Sequence, residues 1–274
     1  MSLIPPLTVH IDSNNRQSGS HSDFTYVLPI SQNHPYDRVC IKNGAIPKTF
    51  YVINESVNNT FILSEATDVT VTIDEGNYSI KSIAAQLTSK LTAASPGGWT
   101  YNVSYPNSTQ AQTTKLTFSV TGNSGGIQPS IIFDNSINYA LGFDKSSTNT
   151  FVGDVLVSSS VILLTVNEIY IISDLVAASA LTNSNQILAA ANVLNNPYNT
   201  TIAIQPSDIL YHSRAFNSNS DIYRFTIVDG FNDLINLNGN IPINLELVFF
   251  KFDSSRAMLK KKIELEWLED TMRR

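Results

Sequence analysis

Residues 39–61, VCIKNGAIPKTFYVINESVNNTF, decide the fold because they join a strand, a proline corner and a second apolar run. The first part, 39–45, has the apolar residues typical of a strand. The pair Ile46 and Pro47 is predicted to stop this strand, because proline lacks a backbone donor and biases the residue before it toward an extended conformation. The aromatic and β-branched residues of 50–53 then predict a second half-buried, pleated segment.

An asparagine-rich run, 54–59, follows and predicts a turn, because asparagine side chains bond readily to their own backbone. We interpret Ile46, Pro47, Tyr51 and Asn54 as a structural corner at which the chain leaves one domain and enters another. The predicted role of this corner is architectural and not chemical.

Ionic side chains are scarce in this chain of 274 residues, of which 15% are charged. The net charge of −6 disfavours a protein that coats nucleic acid, because neutralising phosphates requires clustered lysine and arginine. The single cysteine, Cys40, excludes an internal disulfide framework and a cysteine-based zinc site. Its place on a strand predicts a small buried hydrophobe.

Neither a leader nor a membrane span is expected. The N-terminus, MSLIPPLTVHIDSNN, has no charged leader and no apolar core of a secretory signal. The longest apolar run, 155–166, is interrupted by serines and a threonine and is too short to cross a bilayer. The sequence therefore assigns this run to buried strands.

Period-two alternation dominates both ends of the chain and predicts a mainly β protein. The strands of 1–55 and 146–255 favour a single jelly-roll β-sandwich, discontinuous in sequence, over a barrel. Between them, 56–145 predicts a small inserted α+β domain. Its helix has Ser79 as a candidate N-cap and apolar residues at spacings of three and four, and a hairpin follows it.

Three local predictions concern individual segments of the sandwich. The strands of 24–30 and 39–45 are neighbours in sequence and are predicted to pair antiparallel. The apolar run 161–164 is predicted to be another strand. Residues 187–194, rich in alanine and leucine, are predicted to allow a short helix.

The C-terminal tail, 256–274 (RAMLKKKIELEWLEDTMRR), carries a net charge of +2 and leaves the rest of the chain at −8. The alternation of Ile263, Leu265 and Trp267 predicts a strand, whereas the four-residue spacing from Leu259 predicts a helix. The tail is either a final strand of the same domain or an arm that docks on a neighbouring chain. For an arm, the candidate inter-subunit or capsid contacts are Leu259, Ile263, Trp267 and Leu268.

No motif for catalysis or metal binding occurs in the sequence. The four histidines, His10, His21, His34 and His212, lack the spacing of a metal site. There is no phosphate-binding glycine loop and no Gly-x-Ser-x-Gly elbow. We therefore expect no enzyme, no metal and no cofactor. The alternative is a glycosidase, which would need two facing carboxylates in a cleft.

The order of several motifs resembles a known family. The motifs are DSNNRQSGSHSDFTYVLP, VCIKNGAIPKTFYVIN, IDEGNYSIKSIAAQL, NYALGF, EIYIISDL and YRFTIVDGFNDLINLNGNIPINLELVF. Together they resemble the penton, or minor capsid, proteins of virophages and polinton-like viruses. The similarity runs from about Asp12 to Phe250 and does not include the tail.

This resemblance implies a structural protein of the virion. It implies a jelly-roll that forms a homopentamer, closes the five-fold vertices of an icosahedral shell and contacts the double jelly-roll major capsid protein. It also implies that the inserted domain faces outward. The alternative is a minor capsid or vertex spike protein that binds a host receptor or glycan, with Trp99, Thr100 and Tyr101 as a stacking platform.

Overall fold

The described part of the chain is mainly β. The computed structural model describes residues 4–28, 30, 34–55, 57–105, 115–123, 126–160, 162–178 and 186–252. Its helices are α1 Ile80–Ala94, α2 Ile137–Leu141 and α3 Ile209–His212, with a 3-10 turn at Ser13–Asn15. None of these helices has the length and the hydrophobicity that a bilayer crossing requires.

The strands are short and numerous. In chain order they are β1 Leu7–Asp12, β2 Ser18–Gly19, β3 Asp23–Val27, β4 Arg38–Pro47, β5 Thr60–Ser64, β6 Asp68–Thr72, β7 Thr100–Ser104, β8 Thr117–Thr121, β9 Ser130–Ile132, β10 Thr148–Thr150, β11 Val155–Val157, β12 Glu168–Ser173, β13 Ile187–Asn192, β14 Thr201–Ile204, β15 Arg214–Ala215, β16 Ile222–Asp229 and β17 Asn244–Phe250.

The chain divides into two compact units. Unit 1 contains the described residues of Met1–Lys48, Glu168–Asp229 and Gly239–Arg274. Unit 2 contains those of Thr49–Asn167 and Gly230–Asn238. The backbone therefore passes from one unit to the other four times, which ties unit 2 to unit 1 through two separate segments.

Unit 1 is built from two antiparallel sheets. The first has the order β1-β17-β4-β14, with β15 also on β4, and the second has the order β13-β12-β16-β3-β2. The longer strands of the unit, in chain order, are β1, β3, β4, β12, β13, β14, β16 and β17. Their pairs are nested: β1 with β17, β3 with β16, β4 with β14, and β12 with β13.

The core of unit 1 includes large side chains from its last two strands. Tyr223 and Phe225 are buried on one face of β16, and Leu247 and Phe249 are buried on one face of β17. The ring of Phe216 lies 6.2 Å from the ring of Tyr223 and 5.0 Å from that of Phe249. Because those two residues belong to different sheets, the sheets pack face to face as a sandwich.

Two predictions about unit 1 are wrong. Strands β3 and β4 do not pair, since Phe24 of β3 lies opposite Phe225 and Val39 of β4 lies opposite Phe249. Consecutive strands here go to opposite sheets. Residues 187–192 form β13 and not a helix, because pairing with β12 supplies the hydrogen bonds that alanine would otherwise use in a helix.

Strand β4 also runs further than predicted. Ile46 lies opposite Ile202 and Pro47 lies opposite Thr201, so the proline is the last residue of the strand and does not stop it earlier. The amide of Lys48 then donates to Thr200 O at 2.8 Å. Proline is tolerated at this position because strand ends are among the few places where its missing donor removes no needed ladder bond.

Unit 2 packs helix α1 with two small sheets, β10-β9-β5-β6 and β11-β8-β7. The predicted helix is confirmed: Ser79 and Ser82 form a capping box, and the buried residues of α1 are Ile83, Ala84, Leu87 and Leu91. The predicted hairpin of β7 and β8 is confirmed by their antiparallel pairing.

The boundaries of unit 2 differ from the predicted 56–145. Phe151 is buried in its core, Leu156 and Leu164 pack against that core, and β11 pairs with β8. Residues 162–164 therefore belong to unit 2 and are not a strand, while Val161 lies outside the described residues. The predicted burial of the run 155–166 is only partial, because Val155, Val157 and Leu163 are 40%, 50% and 37% exposed.

Candidate interaction sites

The buried polar residues of unit 1 form structural networks. His21 is buried, its Nδ1 lies 2.6 Å from Ser13 Oγ, and its Nε2 lies 2.6 Å from Asn240 Oδ1. Ser13 Oγ also accepts from the Ile243 amide. Ser13 is fully buried, and this triplet joins the first and last segments of the unit. Among the described residues, no group of three or more metal-ligating side chains occurs.

The predicted stacking platform at Trp99 and Tyr101 is wrong. Trp99 is 6% exposed and Tyr101 is 1% exposed, because both lie in the core of unit 2. The Tyr101 hydroxyl donates to Glu65 Oε1 at 2.8 Å, and burial beside this carboxylate raises the pKa of Tyr101. Of the three predicted residues, Thr100 is exposed.

The predicted corner is divided between the two units. Ile46 is fully buried and Pro47 half-buried at the end of β4 in unit 1, whereas Tyr51 and Asn54 belong to unit 2. Asn54 is buried and its side-chain amide donates to Tyr51 O at 2.8 Å.

Asparagine side chains replace backbone partners throughout this corner. The Asn54 amide N–H donates to Asn58 Oδ1 at 2.7 Å, and the Asn58 side chain donates to Val52 O at 2.9 Å. The Val52 amide in turn donates to Asn77 Oδ1 at 2.9 Å. These bonds satisfy backbone groups in a segment that is not a strand, which gives the asparagine run a structural role.

Lys48 is a residue that the sequence did not single out. It is 4% exposed, and its Nζ donates to Val193 O at 2.7 Å and to Asn196 O at 2.6 Å. Burial lowers the pKa of this amine. The side chain fastens the loop after β13 to the last residue of the first segment of unit 1. Nothing in the local pattern of Pro47, Lys48 and Thr49 distinguishes it from a surface lysine.

Cys40 is a buried hydrophobe, as predicted. It is 1% exposed and packs with Val248, Phe250 and Ile209. Burial raises the pKa of the thiol to about 11. The thiolate is therefore scarce at neutral pH, and the residue is unsuited to nucleophilic chemistry.

A cleft with a volume of about 470 Å³ lies beside the edges of both sheets of unit 1. Its walls include Ala189, Ala190 and Ala191 of β13, Ala203 of β14, and Arg214. Strands β13 and β14 are each the last strand of their sheet in the described part of the chain. The cleft therefore lies beside two edge strands, each of which has one side without a paired strand in the described part of the chain.

An exposed aromatic pair lies on unit 2. The rings of Tyr139 and Phe231 stack with their centroids 4.3 Å apart and an interplanar angle of 5°, and they are 42% and 40% exposed. The Ser136 hydroxyl, three residues before Tyr139, donates to the carboxylate of Asp233, two residues after Phe231. Segment 230–238 is thus held on unit 2, although it connects two strands of unit 1.

The predicted contacts of the tail, Leu259, Ile263, Trp267 and Leu268, lie outside the described residues. Their role as inter-subunit or capsid contacts stays a prediction.

Comparisons with known proteins show similarity to a solved structure but to no family model. No family model matches the chain, and no curated protein matches it. Among solved structures, the chain is similar to the crystal structure of the selenomethionine-labelled mavirus penton protein. The two share 14% sequence identity over 90% of this chain and 99% of that chain, with a TM-score of 0.41.

Proposed function

We propose that this chain is a structural capsid protein, a penton base that forms a homopentamer and closes the five-fold vertices of an icosahedral shell. In this proposal unit 1 is a single jelly-roll and unit 2 is its inserted domain. The protein acts in the virion, by self-assembly and by contact with the major capsid protein, and not as an enzyme.

The observation that carries the proposal is the nested pairing of the eight longer strands of unit 1. The first pairs with the eighth, the second with the seventh, the third with the sixth and the fourth with the fifth. A long antiparallel hairpin rolled into two facing sheets produces this pattern, and such a double-sheet roll is recurrent in viral capsid proteins. The motif order that resembles penton proteins supports the same class.

The composition of the chain also suits a capsid role. A closed five-fold ring needs a heterologous interface, in which one patch of each subunit meets a different patch of the next. The low content of charged residues suits such large, weakly ionic contacts.

The experiment that tests this function adds the purified chain to shells of the double jelly-roll major capsid protein of the same virus, assembled without vertices. We expect the chain to bind at the five-fold positions and to be seen there by electron microscopy. Absence of binding, from a chain that is folded by circular dichroism, would contradict the vertex role.

A second candidate function is binding of a host receptor or glycan by unit 2. The exposed stack of Tyr139 and Phe231 favours it, because aromatic rings with an apolar body are enriched at recognition surfaces. A glycan array probed with the chain and with the Tyr139→Ala variant tests this function. Binding that the variant loses supports it, and an array without signal contradicts a glycan ligand.

A further inference from the structure

The cleft beside β13 and β14 is bounded by backbone as well as by side chains. Within the described residues, β13 pairs with β12 alone and β14 pairs with β4 alone, so each has one open side. Side chains cap one carbonyl on each strand: Arg214 Nε donates to Ile187 O and Asn196 Nδ2 donates to Thr201 O, both at 3.2 Å. An open strand edge is a template for a further extended segment.

The side chains around the cleft leave room for such a segment. Ala189, Ala190 and Ala191 of β13 and Ala203 of β14 are small, and Ala190 and Ala203 are exposed. A volume of about 470 Å³ accommodates several large side chains from an extended peptide. Large apolar side chains that alternate with polar ones fit an edge of this kind, because alternate residues of a strand face the same side.

The tail of the chain has this pattern and starts close by. Phe252 is held at the end of β17, where its amide donates to Asp37 Oδ1 at 2.7 Å. Cys40, two residues beyond Arg38 along β4, lines the cleft, and Arg38 lies opposite Phe250. The ten residues 253–262 span about 35 Å when extended. A connection of this length lets segment 263–267 leave its own copy and bind the cleft of a neighbouring one.

We infer that segment 263–267 of one copy binds as an added strand in the cleft between β13 and β14 of the neighbouring copy in the ring. Ile263, Leu265 and Trp267 enter the alanine-lined space, and Glu264 and Glu266 face the rim that carries Arg214. This inference rests on the proposed ring, since a heterologous ring lets every copy both donate and receive a tail.

Disulfide trapping in the full-length chain tests the inference. In a Cys40→Ser background, Ala190→Cys is combined in turn with Ile263→Cys, Leu265→Cys or Trp267→Cys. We expect at least one combination to form disulfides between chains under mild oxidation. The products should be a series of cross-linked oligomers, of which the largest is the closed ring. The matched control replaces Ala190→Cys with Ala85→Cys, on the exposed face of α1 in unit 2, and should give about tenfold less product.

A cleft-filling variant provides a second readout. Ala203→Arg blocks the cleft from an exposed position, and Ala85→Arg is its control on α1. We expect Ala203→Arg to remove rings at concentrations where the wild type and Ala85→Arg form them, with an unchanged thermal midpoint. Rings that form normally in Ala203→Arg would overturn the inference.

The remaining outcomes separate this inference from the proposed function. Disulfides that form within single chains, or equally well with Ala85→Cys, overturn exchange of tails between copies. Rings that form without any disulfide between the tail and position 190 overturn the inference and leave the ring intact. A chain that stays monomeric contradicts both.

Discussion

Nζ of Lys48 lies 4.7 Å from the centroid of the Tyr198 ring, and the same ammonium group donates to two carbonyls of the loop after β13. A charge that leaves water costs several kcal/mol unless hydrogen bonds and a favourable electrostatic partner compensate it. Lys48 therefore fixes the loop that leads into β14, the strand that pairs with β4.

We expect Lys48→Met to destabilise unit 1 by about 2 kcal/mol, because it leaves the carbonyls of Val193 and Asn196 without their charged donor. Hydrogen exchange is the measurement, with faster exchange expected in the peptide that covers 193–200. Lys42→Met is the control. The Lys42 side chain is 46% exposed in an ion pair with Glu246, and its loss should cost no more than about 1 kcal/mol. Equal effects of the two variants would contradict this account.

The ion pair of Asp23 and Arg224 makes the stability of unit 1 depend on pH. Arg224 Nε and Nη2 donate to the two carboxylate oxygens of Asp23 at 2.7 Å and 2.6 Å, and this pairing lowers the pKa of Asp23. A carboxyl group with a lowered folded-state pKa contributes stability above its unfolded pKa and loses that contribution as the pH falls through the folded-state pKa.

The free energy of unfolding of the wild type should therefore exceed that of Asp23→Asn by about 1 kcal/mol at neutral pH. This difference should vanish as the pH falls well below about 3.9. Thermal unfolding at a series of pH values measures it. Asp68→Asn, at an exposed position of β6, is the control. A difference that persists at low pH would exclude the ionised pair as its source.

Glu65 holds the end of α1 and the start of β7 together. Its carboxylate accepts from Ser95 Oγ at 2.7 Å, from the Gly97 amide at 2.8 Å and from the Tyr101 hydroxyl at 2.8 Å. We expect Glu65→Ala to destabilise unit 2 by about 3 kcal/mol, because the buried Tyr101 hydroxyl loses its acceptor. Tyr101→Phe removes the hydroxyl donor but leaves Glu65 with the donors of Ser95 and Gly97, so it should cost only about 1 kcal/mol. Urea unfolding followed by tryptophan emission compares them, and a larger loss in Tyr101→Phe would contradict the assignment.

Pro47 gives a prediction that the structure revises. The sequence predicted that Pro47 stops the strand at a corner between two domains, so that its replacement would disturb the placement of the domains. Because β4 already includes Pro47, we expect Pro47→Val to cost about 0.5–1 kcal/mol through the greater freedom of the unfolded chain, with assembly unchanged. Thermal unfolding and sedimentation velocity measure the two effects. Loss of assembly in a stable variant would restore the original interpretation.

Local chemistry made several elements predictable from the sequence. Ser79 precedes an apolar stripe and Pro96 follows it, and α1 lies between them at Ile80–Ala94. The strands predicted for 146–255 include β16 and β17, which the structure places in the two sheets of unit 1.

Other elements depend on partners distant in sequence. The alanines of 187–192 favour a helix locally, but pairing with β12 decides their conformation. The sheet that receives β3 or β4 depends on β16 and β17, which lie some two hundred residues later and leave no mark in the local pattern.

The candidate sites likewise include some residues that local sequence predicts and others that it does not. The asparagines of 54–59 were recognisable as turn residues, and the structure gives Asn54 and Asn58 backbone partners. Trp99 was predicted to be part of an aromatic stacking platform, yet the ring is buried. The stack of Tyr139 and Phe231 joins residues ninety-two positions apart, which no local pattern predicts.

The symmetry of negatively stained particles of the purified full-length chain tests the central claim most directly. The account predicts closed rings whose class averages have five-fold symmetry, with a mass five times the 30.1 kDa of the chain. A population that contains only single chains at high protein concentration would contradict it.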